Sequence, residues 1–203
     1  MVTFDWNRWS PWPGARTLAL LNVLLLLTIF SRRIKLWPAP HNGCWQSYVF
    51  WPLFRGGLGL TLLAGALAFA ARQDVSYGFW LAGLPMLLAG AGFLIYGFVN
   101  LGIEQTYCGE KGLVTGGLYR YSRNPQYVAS IVAFTGLAIA AHSPALLALC
   151  ALAALVYVLM PYAEEPWLLA AYGDAYRKYQ AATPRFIGMQ PLRHNSRAEG
   201  RSS

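Results

Sequence analysis

Charged residues are scarce in this chain of 203 residues: they make up 12% of it, whereas hydrophobic residues make up 56%. Soluble domains average about a quarter charged residues, so this balance excludes an ordinary soluble domain and predicts an integral membrane protein. Acidic residues are the fewest, 8 against 16 basic ones, which gives a net charge of +8. In a membrane protein, loops that face anionic lipid explain such a charge, and no nucleic-acid partner is predicted.

Cysteine and histidine are also rare, with three of each. They are scattered along the chain and form no C-x-x-C pair, so the sequence predicts neither a disulfide framework nor a metal site. The residues concerned are Cys44, Cys108, Cys150, His41, His142 and His194.

Uncharged runs divide the chain into five predicted membrane helices. Residues 75–103 are long enough for one crossing of about 20 residues. Residues 124–163 would form about 60 Å of helix, twice a hydrocarbon core of about 30 Å, with His142, Ser143 and Pro144 at the midpoint. This run therefore predicts a helical hairpin in which Pro144 opens the second helix.

Two earlier spans are predicted at residues 17–31 and 51–71. The first is followed by a basic stretch without a small-residue cleavage site, so we interpret it as a membrane anchor rather than a signal peptide. The second contains Arg55, which either extends to the interface or has a function inside the membrane. The predicted fold is all-α and integral to the membrane, with about five transmembrane helices and an amphipathic C-terminal helix at the cytoplasmic interface.

The distribution of Lys and Arg predicts the orientation. Thirteen lie in residues 31–47, in residues 104–125, beyond Glu164 or at Arg55, against three on the other side at Arg8, Arg16 and Arg72. The excess of positive charge places the C-terminus in the cytoplasm and the N-terminus outside.

A polar, tyrosine-rich segment, GLYRYSRNPQY at residues 117–127, separates two of the apolar runs. Because the predicted hairpin goes out and comes back, it returns Glu164 and Glu165 to the membrane face that carries this segment. Each feature also has an ordinary structural interpretation: Asn124 and Pro125 are a common helix start, and the glutamates suit the solvated start of an amphipathic helix. Their meeting at one face favours a functional site.

The blocks KGLVTGGLYRYSRNPQY and EEPWLLAAYGDAYRKYQAATPRFIG, with a hydrophobic hairpin between them, resemble the isoprenylcysteine carboxyl methyltransferase and phospholipid methyltransferase superfamily. That family has a pattern like G-x-Y-x-x-x-R-H-P-x-Y, a spacer, E-E-x-x-L, then F/Y-G-x-x-Y-x-x-Y and a proline-containing end. The resemblance covers residues 104–188 and implies a methyltransferase core there, after membrane spans in residues 1–103 and before a basic, disordered tail in residues 189–203. It implies S-adenosyl-L-methionine as cofactor and a lipophilic acceptor that arrives from the bilayer.

The resemblance also implies which residues form the site. Glu164 matches the cofactor-binding glutamate of the family, and residues 124–127 match its H-P-x-Y tetrad. Glu164, Asn124 and Arg123 are the predicted catalytic residues. The predicted cofactor contacts are Glu104, Gln105, Lys111, Gly112, Leu113, Val114, Tyr119, Asn124, Pro125, Gln126, Tyr127, Glu164 and Glu165.

These residue types suit the chemistry of that cofactor. Backbone N–H groups at the start of the Pro125 helix suit its carboxylate, and Glu164 suits its ammonium or its ribose hydroxyls. Tyr119 and Tyr127 suit the adenine or the sulfonium. Methyl transfer is an in-line displacement, so positioning and desolvation supply the acceleration without a covalent nucleophile.

Two positions depart from the family pattern. Asn124 replaces its histidine and is no proton acceptor at neutral pH. Met160 stands where prenylcysteine enzymes carry an arginine that holds the substrate carboxylate, so Met160 is the predicted substrate contact and an amine or thiol acceptor is favoured over an isoprenylcysteine-like carboxylate. Two other functions remain open from the sequence: a nicotinamide-dependent membrane lipid or sterol reductase, and a non-catalytic membrane bundle.

Overall fold

The structure is a computed structural model that describes residues 12–31, 35–39, 43–70, 77–101 and 112–187. Its regular secondary structure is helical throughout these ranges. The helices are α1 (Trp12–Phe30), α2 (Trp45–Ala70), α3 (Tyr77–Leu101), a short 3-10 helix (Gly117–Arg120), α4 (Pro125–Ala141) and α5 (Pro144–Ala182).

Four of the described helices, α1, α2, α3 and α5, are long and apolar enough to cross a membrane. The fifth, α4, is apolar and has 17 residues, which corresponds to about 25 Å of helix. The prediction of an all-α integral membrane protein is confirmed. The predicted tail at residues 189–203 lies outside the described residues.

The hairpin turn lies where the sequence predicts it. His142 ends α4 in the left-handed region, at φ 45° and ψ 44°. The Ser143 side chain then caps α5 by accepting from the backbone N–H of Leu146, and Pro144 is the first residue of that helix. A proline at this position is preorganised for a helix and lacks only an N–H that would have no helical partner.

The helix boundaries after the hairpin differ from the prediction. We expected a new amphipathic helix to begin at Glu164, but α5 continues through Pro161 and Pro166 to Ala182. Its direction changes at Gly173, where φ is 50° and ψ is −124°, a conformation open mainly to glycine. Glu164 therefore lies inside the helix of the last span, and a second helical segment follows the break at Gly173.

Helix α2 begins at Trp45, before the predicted start at residue 51. Arg55 therefore lies inside the helix. It is exposed, and its guanidinium lies 4.7 Å from the centre of the Trp51 ring. Arg55 pairs with an aromatic face there and has no place in the cleft described below.

Helices α3 and α4 are in backbone contact along their length. Gly136 on α4 leaves no room for a side chain: a Cβ there would lie 2.3 Å from the backbone nitrogen of Leu87 and 2.7 Å from the carbonyl oxygen of Gly83. Gly90 on α3 is as close to the backbone of α4 at Ala129 and Ala133. Small residues permit such close approach of membrane helices, which van der Waals contact then stabilises.

The hydrophobic core lies among α1, α2, α4 and α5. Its centre is aromatic. Phe50 stacks on Phe54, and Phe54 and Phe134 contact Tyr157.

Candidate functional site

A cleft opens where the loop before α4 meets the middle of α5. The space between these elements is about 810 Å³, counting the part open to solvent. The hairpin therefore places the tyrosine-rich loop beside the two glutamates, as the sequence predicts. The lining residues are Gly112, Leu113, Val114, Tyr119, Arg123, Asn124, Gln126, Tyr127, Pro161, Glu164, Glu165, Trp167, Leu168, Tyr172, Tyr176 and Tyr179.

Glu164 is the most enclosed acidic group in the cleft, with 6% of its surface exposed. Its Oε1 accepts two hydrogen bonds, one from the Tyr127 hydroxyl on α4 and one from the indole Nε1–H of Trp37. Its Oε2 accepts none from the described residues. No described Lys, Arg or His forms an ion pair with Glu164. Two hydrogen bonds thus fix one oxygen of this buried carboxylate at the cleft. The carboxylate has no counterion among the described residues.

Glu165 has a different environment from its neighbour. It lies between two arginines: Arg123 Nη1 is 2.8 Å from Oε1, and Arg185 donates through Nε to Oε1 at 2.7 Å and through Nη2 to Oε2 at 2.6 Å. The hydrogen bonds from Arg185 to Glu165 raise the pKa of the guanidinium above its already high value. Such bidentate, charge-assisted pairs are strong and geometrically specific. Both arginines therefore form ion pairs with Glu165, and the buried Nε of Arg123 has no hydrogen-bond partner among the described residues.

The segment after α5 folds back over the start of α4. The backbone N–H of Arg123 donates to the carbonyl of Pro184 at 2.9 Å, and the Asn124 amide donates to the carbonyl of Arg185, also at 2.9 Å. The Tyr179 hydroxyl donates to the carbonyl of Tyr119 at 2.8 Å. These bonds fix the loop from both of its ends.

Asn124 does not act as the side-chain cap that its position before Pro125 suggests. Its side chain makes no capping hydrogen bond, because the amide is turned towards the C-terminal segment. The Ser122 hydroxyl accepts from the Asn124 backbone N–H at 3.0 Å instead.

The structure brings most of the predicted site residues together. Pro125 begins α4 but is not part of the lining, and Met160 is fully buried in the hydrophobic core behind Pro161. The predicted roles of both stay predictions. The predicted contacts Glu104, Gln105 and Lys111 lie outside the described residues. The predicted contacts that line the cleft are Gly112, Leu113, Val114, Tyr119, Arg123, Asn124, Gln126, Tyr127, Glu164 and Glu165.

Several site residues were missed by the reasoning from sequence. Trp37 reaches Glu164 from the connection between α1 and α2, and Arg185 reaches Glu165 from beyond α5. Tyr172 and Tyr176 add aromatic surface from the Y-G-x-x-Y-x-x-Y block. For these tyrosines the family block was a usable signal, whereas nothing local in the sequence marks Trp37.

Within the described ranges, no group of three or more His, Cys, Asp and Glu side chains is placed to hold a metal ion. The chemistry of the cleft is thus that of one uncompensated carboxylate, one Arg-Glu-Arg network and several aromatic rings.

Comparison with known proteins agrees with this architecture. Residues 79–175 match the family model described as phospholipid methyltransferase. No curated protein and no solved structure matches the chain significantly. The matched segment runs from α3 to Ala175, and so includes the hairpin, the loop and both glutamates. Residues 79–175 therefore resemble the phospholipid methyltransferases, a family of the membrane methyltransferase superfamily that also includes the isoprenylcysteine enzymes.

Proposed function

We propose that the protein is an S-adenosyl-L-methionine-dependent methyltransferase that modifies an uncharged lipophilic amine or thiol. The observation that carries the proposal is Glu164, a buried carboxylate in the cleft with Oε2 unoccupied by the described residues and no cation paired to it. A buried charge is costly unless it is paired. A cationic ligand supplies the missing partner, and the proposed cofactor carries both a sulfonium and an ammonium.

The other residues of the cleft fit the remaining parts of this cofactor. Tyr119, Tyr127 and Tyr172 offer ring faces for the adenine and for the sulfonium. The first turn of α4 presents the positive end of the helix dipole to the cofactor carboxylate. When bound, the cofactor supplies a methyl group that is displaced from a cationic sulfur, leaving a neutral thioether.

The chain's own part in the reaction is to bind, orient and exclude water. Asn124 is no base at neutral pH, so a neutral amine or thiol that gains a methyl group releases its proton to water. Pro161, Trp167 and Leu168 form an apolar wall on the α5 side of the cleft, which suits an acceptor that arrives from the bilayer. Positioning in a desolvated cleft supplies the acceleration.

The commitment of the arginines supports a neutral acceptor over a carboxylate. Arg123 is the only basic residue among the described residues that line the cleft, and Glu165 already holds it. Arg185 is held by the same carboxylate. A carboxylate acceptor would have to compete with Glu165 for Arg123, whose Nε is its buried donor without a partner in the described residues.

Cofactor binding is tested by calorimetry on the detergent-purified full chain. S-adenosylmethionine and S-adenosylhomocysteine should bind saturably, whereas NADPH should not. Glu164→Gln should weaken binding about 10- to 100-fold, because a hydrogen bond to a charged group contributes about 1.5–3 kcal/mol. Asp174→Asn, an exposed carboxylate on the same helix, is the matched control and should leave binding unchanged. Saturable binding of NADPH, with no binding of either S-adenosyl ligand, would refute the proposal.

The two ligands also locate the cation that Glu164 meets. They share the ammonium and differ at the sulfonium. If Glu164 lies beside the sulfonium, wild type should prefer S-adenosylmethionine and Glu164→Gln should remove that preference. If it lies beside the ammonium or the ribose, the substitution should weaken both ligands equally.

Acceptor class is tested with radiolabelled methyl donor and three substrates of matched chain length: a lipophilic amine, a thiol and a prenylcysteine acid. The amine or the thiol should be methylated faster than the acid. A wide preference for the acid would overturn the neutral-acceptor part of the proposal and leave cofactor binding intact.

A further inference from the structure

Trp37 is the residue through which the N-terminal half reaches the cleft. It lies between α1 and α2, 127 positions before Glu164, and is 3% exposed. Its indole Nε1–H donates to Oε1 of Glu164. The family match covers residues 79–175, so Trp37 lies outside the matched segment.

The position of the indole is fixed by packing on both sides. Its ring stacks on Phe50 with centroids 4.2 Å apart and an interplanar angle of 20°, and it meets Trp51 edge-on at 5.7 Å. The preceding residue is also anchored, because the Leu36 backbone N–H donates to the Thr28 hydroxyl of α1 at 3.1 Å. A ring held in this way presents its N–H in one direction.

Trp37 and Tyr127 donate to the same oxygen of Glu164, Trp37 from the connection between α1 and α2 and Tyr127 from α4. Two donors on Oε1 set the rotation of the carboxylate about its last bond. Oε2 is left facing the cleft without a hydrogen bond from the described residues. Donors that are themselves held by packing reduce the ordering that a ligand must impose.

We propose that Trp37 is a positioning residue: it holds the Glu164 carboxylate so that Oε2 meets the cation of the cofactor. The inference rests on the proposed function. It differs from a packing role, in which the ring alone would matter and the N–H would not.

Trp37→Phe separates the two roles because it keeps an aromatic ring and removes the donor. S-adenosylmethionine, which carries both the sulfonium and the ammonium, should bind the variant about tenfold more weakly than wild type by calorimetry. Trp80→Phe is the matched control, since Trp80 packs against Phe69 away from the cleft and its buried indole Nε1–H has no hydrogen-bond partner among the described residues. It should leave the affinity within about twofold. Melting temperatures without ligand report how far each change affects packing.

A double-mutant cycle with Glu164→Gln shows whether Trp37 acts through the carboxylate. In the Glu164→Gln background, Trp37→Phe should change the affinity less than about twofold. The same tenfold loss in both backgrounds would make Trp37 a packing residue and overturn the inference, as would unchanged affinity in the single variant. If Trp37→Phe does not accumulate, Trp37→Tyr removes the same N–H and enters the same cycle.

The proposed function and this inference fail in different ways. Wild type that binds no S-adenosylmethionine overturns both. Wild type that binds it, with Trp37→Phe binding equally well, overturns only the role of Trp37.

Discussion

Arg185 and Asn124 are 61 positions apart in the sequence, yet the carbonyl of Arg185 accepts a hydrogen bond from the Asn124 amide at 2.9 Å. The Arg185 side chain meanwhile binds Glu165 through two nitrogens and lies 3.9 Å from the centre of the Tyr162 ring. Arg185, which follows the last helix, therefore connects the start of α4 to the middle of α5. This relationship suggests the first test.

Arg185→Ala should lower the free energy of unfolding by about 1.5–3 kcal/mol, because it removes a bidentate pair and leaves the largely buried Glu165 with Arg123 alone. Denaturant or thermal unfolding in detergent measures the change. Arg177→Ala is the control: its pair with Asp174 is 68% and 84% exposed, and exposed pairs contribute at most about 1 kcal/mol. Equal effects of the two substitutions would contradict a structural role for the Arg185 network.

Gly136→Ala should destabilise the protein by about 1–3 kcal/mol, the usual cost of overpacking, because the new Cβ would meet the α3 backbone. The measurement is again unfolding in detergent. Gly92→Ala on α3 is the matched control, since a Cβ there meets nothing within 4 Å. It should be neutral or slightly stabilising, as alanine favours helix over glycine. A tolerated Gly136→Ala would mean that α3 and α4 are not in backbone contact.

Substitutions at Met160 test whether this residue packs in the hydrophobic core or contacts the substrate. Because Met160 is fully buried, Met160→Arg should destabilise the fold by several kcal/mol through an unpaired buried charge. Met160→Leu preserves volume and should cost less than about 1.5 kcal/mol. Thermal unfolding and a methylation assay on both variants provide the readout. A stable Met160→Arg protein with a new preference for carboxylate acceptors would restore the prediction from sequence that Met160 contacts substrate.

Orientation is a prediction from charge alone. Five helices place the termini on opposite sides, and the excess of Lys and Arg puts the C-terminus and the cleft in the cytoplasm. Paired reporter fusions at the two termini, read in sealed vesicles by protease protection, measure this directly. Both termini on one side would show that one of the five helices does not cross, with the 17-residue α4 the first to examine.

The sequence predicts those parts of the site that depend on local residue patterns and on the lengths of the uncharged runs. A run of 40 uncharged residues with proline at its centre predicts the hairpin, and the hairpin alone brings Tyr127 to Glu164. The continuation of α5 past Glu164 is not predicted from the sequence, because two adjacent glutamates suit the solvated start of a separate amphipathic helix, and the two prolines at 161 and 166 that the helix contains are unfavourable inside helices in water. In a membrane helix, neighbouring groups can satisfy the freed carbonyls and the helix continues.

Trp37 and Arg185 could not be found in this way. Their roles depend on contacts between segments that no periodicity or spacing relates. A tryptophan between two spans is typical of an interfacial anchor, and an arginine beyond the last span is typical of orientation charge. Only the folded bundle distinguishes these residues from the others of their kind.

Trp37 and Arg185 donate hydrogen bonds to Glu164 and Glu165, and this affects what the matched segment contains by itself. Residues 79–175 include Glu164 and Glu165 but neither Trp37 nor Arg185. Transplanted into another protein, that segment would contain Glu164 and Glu165 without Trp37 and Arg185, which donate hydrogen bonds to them. The first connection emerges from the ribosome well before Glu164, and Arg185 emerges after it, so the site is assembled from both ends of the chain. The site is complete only when Arg185 has paired with Glu165.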